Sequence, residues 1–555
     1  MRVEDRPPRP AGQPVALRPL SPGQQGILLQ HNAAPGSPIF NVPAALELTG
    51  PLDEHALRRA LTDLVARHEV LRTTFPQHAT GAAQAIHPPH EAELPVRDLG
   101  ILPAAEQTQA ARELLDNEAA IPFDLEHETS LRCRLVRLDT ERHVLFWMMH
   151  HIICDGWSKA VFATDLSALY AAHHAGTPVP LPELSVSYSD FAAEQCDTDP
   201  AVLEQHLLYW DKQLEGVADL PTLVAAHRAG ENPARGDSIS LTIDAETTGR
   251  LHAVGRQGRS SLFMVLHAAL AVALHQGSGH RDLLINTPYG GRPSPAFEPL
   301  IGFFVNVLAL RTRLEGDPAF RELLAQVRGT ALDAYEHSQA PIQHVAHRLA
   351  QRNRGRVGPL NEISLAFANL PYQDVRLMGL TVRGFPLTRV DVRYPLELHM
   401  WEDTASPGLG GRLIFRTDLV DRDTAAALVD AYQKVLHAVA ADPGQRLSQL
   451  APLNSRFLEP PTAWQAAGPL EQPQAWAEPS TDTERALLDI WAGLLHTDDI
   501  SATDSFVDLG GHSLLVALMV AKVRDTFGVD LPVPAIYQDP TLRSVASAID
   551  AAAAT

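Results

Sequence analysis

Two adjacent histidines followed by an aspartate form the stretch of this chain best suited to chemistry. His150, His151 and Asp155 lie in the string HHIICDGWS, with Cys154 directly before the carboxylate. An unperturbed imidazole has a pKa of about 6.5, so either histidine could accept and return a proton near neutral pH. The residue types therefore allow general acid–base chemistry at this point.

The same string has three other interpretations. A histidine beside a buried strand can simply be a hydrogen-bonded core residue. Two histidines and an aspartate could bind a metal ion, although their spacing matches none of the common metal motifs. Cys154 could be a nucleophile, because a helix N-terminus and a nearby histidine both activate a thiol. The residues alone do not choose among these interpretations.

A serine near the C-terminal end follows two glycines and a histidine. The string FVDLGGHSLL (506–515) leads into apolar positions at helical spacing, so Ser513 is predicted at or near a helix N-terminus. An anionic phosphodiester is stabilised at such a position. A hydrolase nucleophile elbow would need glycine at position 515, which is leucine. Ser513 is thus either a plain helix cap or an attachment point.

The elements around the histidine pair can be read from the hydrophobic pattern. An alternating strand is predicted over 131–138, a turn over 139–143 and a buried strand over 144–149. A helix is predicted from Gly156 to a stop at Gly176. Upstream, 57–68 has helical spacing and VLRTTF (70–75) is predicted as a strand. The histidine pair should therefore lie where a buried strand meets a helix.

Composition changes near residue 450 and predicts separate domains. We expect a disordered Pro/Arg-rich tail over 1–15, a mixed α/β region over 16–450 and a Pro-rich linker over 451–480. A compact helical domain follows over 481–553, opened by a capping box of Thr481 and Glu484. From residue 481 onward the chain has 11 acidic and 4 basic residues, so this domain is acidic.

The overall composition excludes several classes of protein. With 45% apolar and 20% charged residues among 555, the chain can bury large cores and is not wholly disordered. A net charge of −21 argues against nucleic-acid or membrane partners. Three cysteines cannot make a disulfide framework, which favours a reducing compartment. The N-terminus has no apolar signal region, and Leu262–Leu274 is predicted as a core helix. We expect a cytoplasmic protein.

HHIICDGWS resembles HHxxxDG, the signature of the condensation-domain superfamily of nonribosomal peptide synthetases, whose fold is related to chloramphenicol acetyltransferase. The resemblance covers residues 19 to about 450. Five further motifs carry it: LSPGQQGILL (20–29), RHEVLRTTF (67–75), YSDFAAEQ (188–195), NTPYGGRP (286–293) and IGFFVNVLALR (301–311). It implies an α/β (α+β) fold of two lobes, an N-lobe of about 16–180 and a C-lobe of about 181–450.

DSFVDLGGHSLL (504–515) resembles the 4′-phosphopantetheine attachment motif of thiolation (peptidyl carrier) domains, and the similarity continues to IYQDPTLRSVA (536–546). In that family the serine carries a flexible thiol arm that holds an acyl group as a thioester. The resemblance implies a small all-α four-helix carrier domain with 4′-phosphopantetheine attached covalently to Ser513.

The first resemblance implies attack of an amine on a carrier-bound thioester, giving an amide. In this family His151 would act as general base or positioning group, with His150 in support. Asp155 would pair with Arg292 to fix the loop, and Gly156 would allow the substrate arm to approach. An α-amine has a pKa of about 7.7–8.0, so freeing it at pH 7 costs only about 1 kcal/mol. Removing the proton as the C–N bond forms would be the larger contribution of His151.

The order of domains predicts how the carrier is loaded. Only the linker 451–480 lies where an elongation module usually has an adenylation domain, so we expect loading in trans by a stand-alone adenylating enzyme. A phosphopantetheinyl transferase, an upstream donor carrier protein and a downstream module or release enzyme are the other expected partners, and we expect a monomer. Two alternatives stay open: His151 could form esters or acylate a free acceptor, or the chain could be a non-catalytic scaffold that presents its carrier.

Overall fold

The computed structural model describes most of the chain. The described residues are 13–78, 81–220, 223, 236–353, 360, 362–368, 375–390, 392–402, 407–450, 458, 477–495, 500–506, 509, 519, 522–524, 526–529 and 541–553. Most of the predicted tail (1–15) and of the predicted linker (451–480) lies outside these ranges. Ser513 also lies outside them.

Helices and strands alternate along the chain. The helices are α1 (Pro22–Ala33), α2 (Glu54–Arg67), α3 (Ala104–Ala119), α4 (Gly156–Ala175), α5 (Tyr188–Cys196), α6 (Pro200–Gln213), α7 (Ala245–Gln257), α8 (Leu262–Ser278), α9 (Phe320–Glu336), α10 (Ile342–Arg352), α11 (Arg422–Ala441), α12 (Asp482–Leu495) and α13 (Leu542–Ala553). The strands are β1 (Ala16–Arg18), β2 (Asn41–Thr49), β3 (Thr73–Thr74), β4 (Gln77–His78), β5 (Gly81–Ala82), β6 (Gln84–Ile86), β7 (Val96–Asp98), β8 (Leu131–Arg137), β9 (Arg142–His150), β10 (Gly236–Asp244), β11 (Asp282–Gly290), β12 (Val305–Arg313), β13 (Ile363–Ala368), β14 (Thr381–Gly384), β15 (Leu396–Glu402) and β16 (Gly408–Arg416).

The first compact unit contains the histidine pair. It is built from residues 1–198, 290–305 and 370–391. Its main sheet has the order β14-β2-β9-β8-β7, in which β7 runs parallel to β8 and the other pairs are antiparallel. Strand β9 is central and is buried from His143 to His150, which matches its nearly continuous apolar sequence. The end of a buried central strand thus places His150 and His151.

This unit differs from the predicted N-lobe of 16–180. Helix α5 belongs to it, because Ser187 caps the helix and Tyr188 and Phe191 are buried in the unit's core. Two later segments return to it, and β14 in the second of these pairs with β2. A single boundary in the sequence cannot express a unit assembled from three segments.

The second compact unit contains residues 199–289, 306–369 and 392–555. Its sheet has the order β10-β16-β15-β13-β11-β12, with β11, β13 and β15 running parallel and β16 antiparallel to both of its neighbours. Helix α8 lies in its core, and the predicted core helix over Leu262–Leu274 is confirmed. The apolar run is long because almost every face of this helix is covered.

Residues 477–553 within that unit have a hydrophobic core of their own. Trp491 on α12 is fully buried against Phe506, with ring centroids 4.8 Å apart. The predicted capping box is confirmed: the Glu484 N–H donates to Thr481 Oγ1 at 3.0 Å, and the Thr481 N–H donates to the Glu484 carboxylate at 3.3 Å. Helices α12 and α13 pack together in this core.

Two of the local predictions near the histidines are confirmed and one is wrong. Strands β8 and β9 match the predicted hairpin, and α4 ends at Gly176, which has a left-handed φ of 66°. The predicted strand over 70–75 is instead a 3-10 turn over Glu69–Arg72 followed by the two residues of β3. The Thr73 hydroxyl donates to the Glu69 carbonyl and closes this turn, which overrides the β propensity of the sequence.

Within the described residues, no single helix is long and apolar enough to cross a membrane. Helices α7 and α8 taken together have the length and apolar composition of a membrane span, but they are bent by 102° at the break between them.

Candidate active site

His151 lies at the junction of β9 and α4. Strand β9 ends at His150, a 3-10 turn covers His151–Ile153, and Asp155 is the N-cap of α4. The buried strand carries the histidines to the end of the sheet, and the aspartate starts the helix by accepting a hydrogen bond from the Ser158 N–H at 2.7 Å. The turn between them leaves the His151 side chain only half-buried.

One hydrogen bond decides the tautomer of His151. Its Nδ1 lies 2.6 Å from the carbonyl oxygen of Cys154. A carbonyl oxygen can only accept, so Nδ1 carries the proton and donates it. In the neutral ring, Nε2 therefore holds the lone pair that can take up a further proton. The ring also stands at 90° to the ring of Phe303, with centroids 5.2 Å apart.

His150 has a different environment. It is 1% exposed, and its ring lies against the rings of His31, Phe40 and Phe123. Its Nδ1 accepts a hydrogen bond from the Ile152 N–H at 3.2 Å, which holds the turn. Burial lowers the pKa of His150 well below its usual value, and neighbouring positive charges add to that effect. His150 is thus a neutral residue at the end of β9 that caps the turn.

Asp155 and Arg292 form a buried ion pair. Arg292 Nη1 donates to Asp155 Oδ2 at 2.9 Å and Nη2 to Oδ1 at 3.3 Å, with side chains 6% and 1% exposed. The same carboxylate accepts the N–H of Phe304 at 3.3 Å as well as both donors of Ser158. The guanidinium also lies 4.1 Å from the centre of the Phe304 ring. All the acceptor positions of Asp155 are therefore occupied by structural donors.

The metal and thiol interpretations do not fit this geometry. The two histidines and Asp155 each direct a polar atom to a different protein partner, so they do not converge on one point. Within the described residues no group of three or more potential metal ligands occurs. The Cys154 side chain is fully buried and its Sγ donates to the His150 carbonyl oxygen, so it does not face an incoming substrate.

Gly156 is the exposed first residue of α4. Apart from its chain neighbours and the backbone of its own helix, a Cβ atom built on it would meet no protein atom within 4 Å. Packing within the protein therefore does not require glycine here.

Comparison with protein families identifies the chain. Residues 17–459 match the family model described as Condensation domain, which covers most of the chain. The chain belongs to the condensation-domain family. Residues 485–549 match the model described as Phosphopantetheine attachment site, so the condensation domain is followed by a carrier domain whose cofactor is covalently attached 4′-phosphopantetheine. The predicted fold class is confirmed by these matches and by the solved structures below.

The relatives of this condensation domain are parts of large synthetases. It is 34% identical over 457 residues to chondramide synthase cmdD of Chondromyces crocatus, covering 82% of this chain and 12% of that protein. It is 34% identical over 462 residues to an isonitrile lipopeptide synthase of Mycobacterium tuberculosis, covering 80% and 18%. The chain thus spans less than a fifth of the length of these relatives.

Solved structures give the same fold. The X-domain from teicoplanin biosynthesis has a TM-score of 0.69 and 27% identity, covering 80% of this chain and 100% of that one. The protein SgcC5 from Streptomyces globisporus has a TM-score of 0.62 and 28% identity, covering 77% and 100%. In nonribosomal peptide synthetases, condensation domains are acyltransferases that form peptide bonds.

Sequence reasoning missed the residues of this condensation domain that connect the start of α4 and the start of α5 to the segment 302–303. The Ser158 hydroxyl lies 2.7 Å from Asp155 Oδ1 and accepts the Gly302 N–H at 3.0 Å. The Tyr188 hydroxyl donates to the Phe303 carbonyl at 2.7 Å. Tyr188, Gly302 and Phe303 lie within strings that carry the family resemblance, so the strings marked the region without revealing a role.

The carrier domain is described in part. The serine predicted to carry the cofactor, Ser513, lies outside the described residues, but the hydrophobic core of this domain contains Phe506 and Trp491 and includes residues on both sides of position 513 in the sequence. Ser480, Thr481 and Arg543 all donate to the buried Glu484 carboxylate. Although burial opposes ionisation, these hydrogen bonds hold the pKa of Glu484 at about 2. A serine hydroxyl is the chemical group that a phosphodiester attachment needs. The arm, when attached, supplies a thiol that holds an acyl group as a thioester.

Proposed function

We propose that this chain forms an amide bond between a donor acyl group on an upstream carrier protein and an amine acceptor held by its own carrier domain at Ser513. The observation that carries the proposal is the hydrogen bond from His151 Nδ1 to the Cys154 carbonyl oxygen. It leaves Nε2 as the basic nitrogen of a half-buried ring, whereas His150 is buried and neutral.

The proposed step moves one proton through His151. The acceptor nitrogen attacks the thioester carbonyl carbon, so a C–N bond forms and the C–S bond breaks. His151 Nε2 takes the proton that the nitrogen loses as the C–N bond forms, and returns it to the departing sulfur. A positioned base typically contributes 10²–10⁴-fold, and orientation of the two substrates contributes separately.

Asp155 would act through geometry. Its carboxylate is saturated by Arg292, Ser158 and Phe304, so it has no position left for a substrate proton. We propose that the ion pair fixes the turn from which the Cys154 carbonyl directs His151. Gly156, exposed at the start of α4, would leave room for the substrate arm to approach.

We further propose that Ser513 is loaded in trans. The condensation match ends at residue 459 and the carrier match begins at residue 485, so the interval between them is too short for an adenylation domain. The proposed partners are therefore a phosphopantetheinyl transferase, a stand-alone adenylating enzyme, an upstream donor carrier protein and a downstream module or release enzyme.

The test uses the full chain and a separate donor carrier protein. A phosphopantetheinyl transferase loads Ser513 with a panel of aminoacyl groups from their coenzyme A thioesters, and loads the donor carrier with N-acetyl-aminoacyl groups in the same way. Intact-protein mass spectrometry then follows transfer of the donor group to this chain. We expect transfer for at least one pair, a fall of 10²–10⁴-fold in His151→Ala, and no loading of Ser513→Ala.

Two other results would select the alternatives. Transfer to free amines or alcohols, with none to the loaded chain, would indicate an acyltransferase for soluble acceptors. The second alternative involves a partner enzyme, and the similar X-domain from teicoplanin biosynthesis has been solved in a complex with OxyB. Equal rates for His151→Ala and the unaltered chain, together with binding of a partner enzyme, would indicate a scaffold.

A further inference from the structure

The ring of Phe303 lies beside the imidazole of His151. The two rings stand at 90° with centroids 5.2 Å apart, in an edge-to-face arrangement. The Phe303 side chain is partly buried, in contrast to the fully buried phenylalanines of the surrounding core. Its ring therefore covers one side of the imidazole and also packs against the surrounding core.

The backbone that carries this ring is held on both sides. The Gly302 N–H donates to Ser158 Oγ at 3.0 Å, and the Phe304 N–H donates to Asp155 Oδ2 at 3.3 Å. The Phe303 carbonyl oxygen accepts from the Tyr188 hydroxyl at 2.7 Å. None of these bonds uses the Phe303 side chain. Shortening that side chain should therefore leave the backbone in place.

Two glycines make room for this arrangement. A Cβ at position 302 would lie 2.1 Å from Cδ2 of Tyr188, so the segment can approach that ring only with glycine. A Cβ at Gly23, on α1, would lie 2.9 Å from Cε1 of Phe303. The Phe303 ring thus occupies a slot between α1 and His151, where it has little freedom to move away.

We propose that Phe303 is a positioning residue for His151. The hydrogen bond to the Cys154 carbonyl holds Nδ1 of the imidazole, and rotation about the last side-chain bond of a histidine is intrinsically broad. The edge-to-face contact with Phe303 restrains this rotation, since such pairs favour one arrangement by up to about tenfold. This inference rests on the function proposed above, because it assumes that His151 takes a proton from the acceptor.

The test compares Phe303→Ala and Phe303→Leu, each in the unaltered background and in His151→Ala. Transfer is measured with the donor and acceptor pair that gives the most product with the unaltered chain. We expect kcat to fall about tenfold in both variants, with the KM for the donor carrier unchanged. In the His151→Ala background the same substitutions should have no further effect, because the group they orient is gone.

A matched control separates positioning from stability. Phe162→Leu removes a fully buried ring that stacks on Trp147, with centroids 5.1 Å apart, in the same unit. It should lower Tm at least as much as Phe303→Leu while leaving kcat within about twofold. A second readout does not need activity: the 15N shifts of the His151 ring, assigned by their loss in His151→Ala, should move toward a mixture of tautomers in Phe303→Ala.

Several outcomes would overturn this inference alone. Phe303→Ala could match the unaltered chain in rate, or could lower the rate equally in both backgrounds, which would indicate contact with substrate or a purely structural role. Unchanged 15N shifts in a slowed Phe303→Ala variant would also overturn it. Absence of any transfer by the unaltered chain is a different result, because it contradicts the proposed function itself.

Discussion

Removing one partner of the buried Asp155–Arg292 pair should destabilise the first unit strongly. Arg292→Met leaves a carboxylate that is 1% exposed without its cation. Breaking such a pair from one side typically costs about 3–5 kcal/mol. The N–H groups of Ser158 and Phe304 would still donate to Asp155, so we expect the lower end of this range, about 3 kcal/mol.

The reverse substitution should cost a similar amount. Asp155→Asn keeps a side-chain oxygen that can cap α4, but it leaves a buried guanidinium without its carboxylate, beside the Leu300 carbonyl and the rings of Phe304 and Trp157. The double variant has no unpaired buried charge, so it should be no less stable than either single variant. The interaction energy of the pair should therefore be at least about 3 kcal/mol.

The assay must report on this part of the chain, because unfolding of a chain with several units is not a two-state process. Hydrogen exchange of the α4 backbone, read by mass spectrometry, gives a local opening free energy for the helix that Asp155 caps. Single variants that cost less than about 1 kcal/mol, or single effects that simply add in the double variant, would refute the reasoning. Ser158→Thr is a useful control because it keeps the hydroxyl and both charges.

Three further outcomes can be measured on the same protein. Gly302→Ala should lower Tm by several degrees, because its Cβ would lie 2.1 Å from Tyr188; an unchanged melting curve would contradict this close approach. Gly156→Ala should leave Tm unchanged, and a bulkier Gly156→Leu should slow transfer if the substrate arm passes there. Because the pKa of Glu484 is lowered to about 2, its contribution is present above its unfolded pKa of about 4.5 and is lost as the pH falls toward 2. Urea unfolding of the carrier should lose this dependence in Glu484→Gln.

Near the site, the sequence predicted local structure correctly where a single short stretch of residues determines that structure. Helix α4 begins at Gly156 and stops at Gly176, as its sequence predicts, and β9 is a nearly continuous apolar run. The same reasoning failed at Glu69–Arg72, where a side-chain hydrogen bond from Thr73 favours a turn over the strand that the residue types predict. Propensity is a weak guide for so short a segment.

The support of the site could not be predicted from spacing. Ser158 meets Gly302, and Asp155 meets Phe304, across more than a hundred residues of sequence. The pairing of Asp155 with Arg292 was expected only because the motifs resemble a known family. No local pattern indicates that a phenylalanine at position 303 stands beside the imidazole, since an apolar residue in an apolar string is equally consistent with a core position.

The three-segment build of the first unit has a consequence for synthesis on the ribosome. Strand β2 pairs with β14, so Thr49 finds its partner Thr381 only after the intervening chain has been made. At translation rates of 5–20 residues per second, this edge of β2 stays without its partner strand for roughly 20–70 s. Exposed strand edges invite pairing with other chains. Chaperone contact with the nascent chain during that interval should therefore favour a good yield of this protein, and slower translation should increase its aggregation.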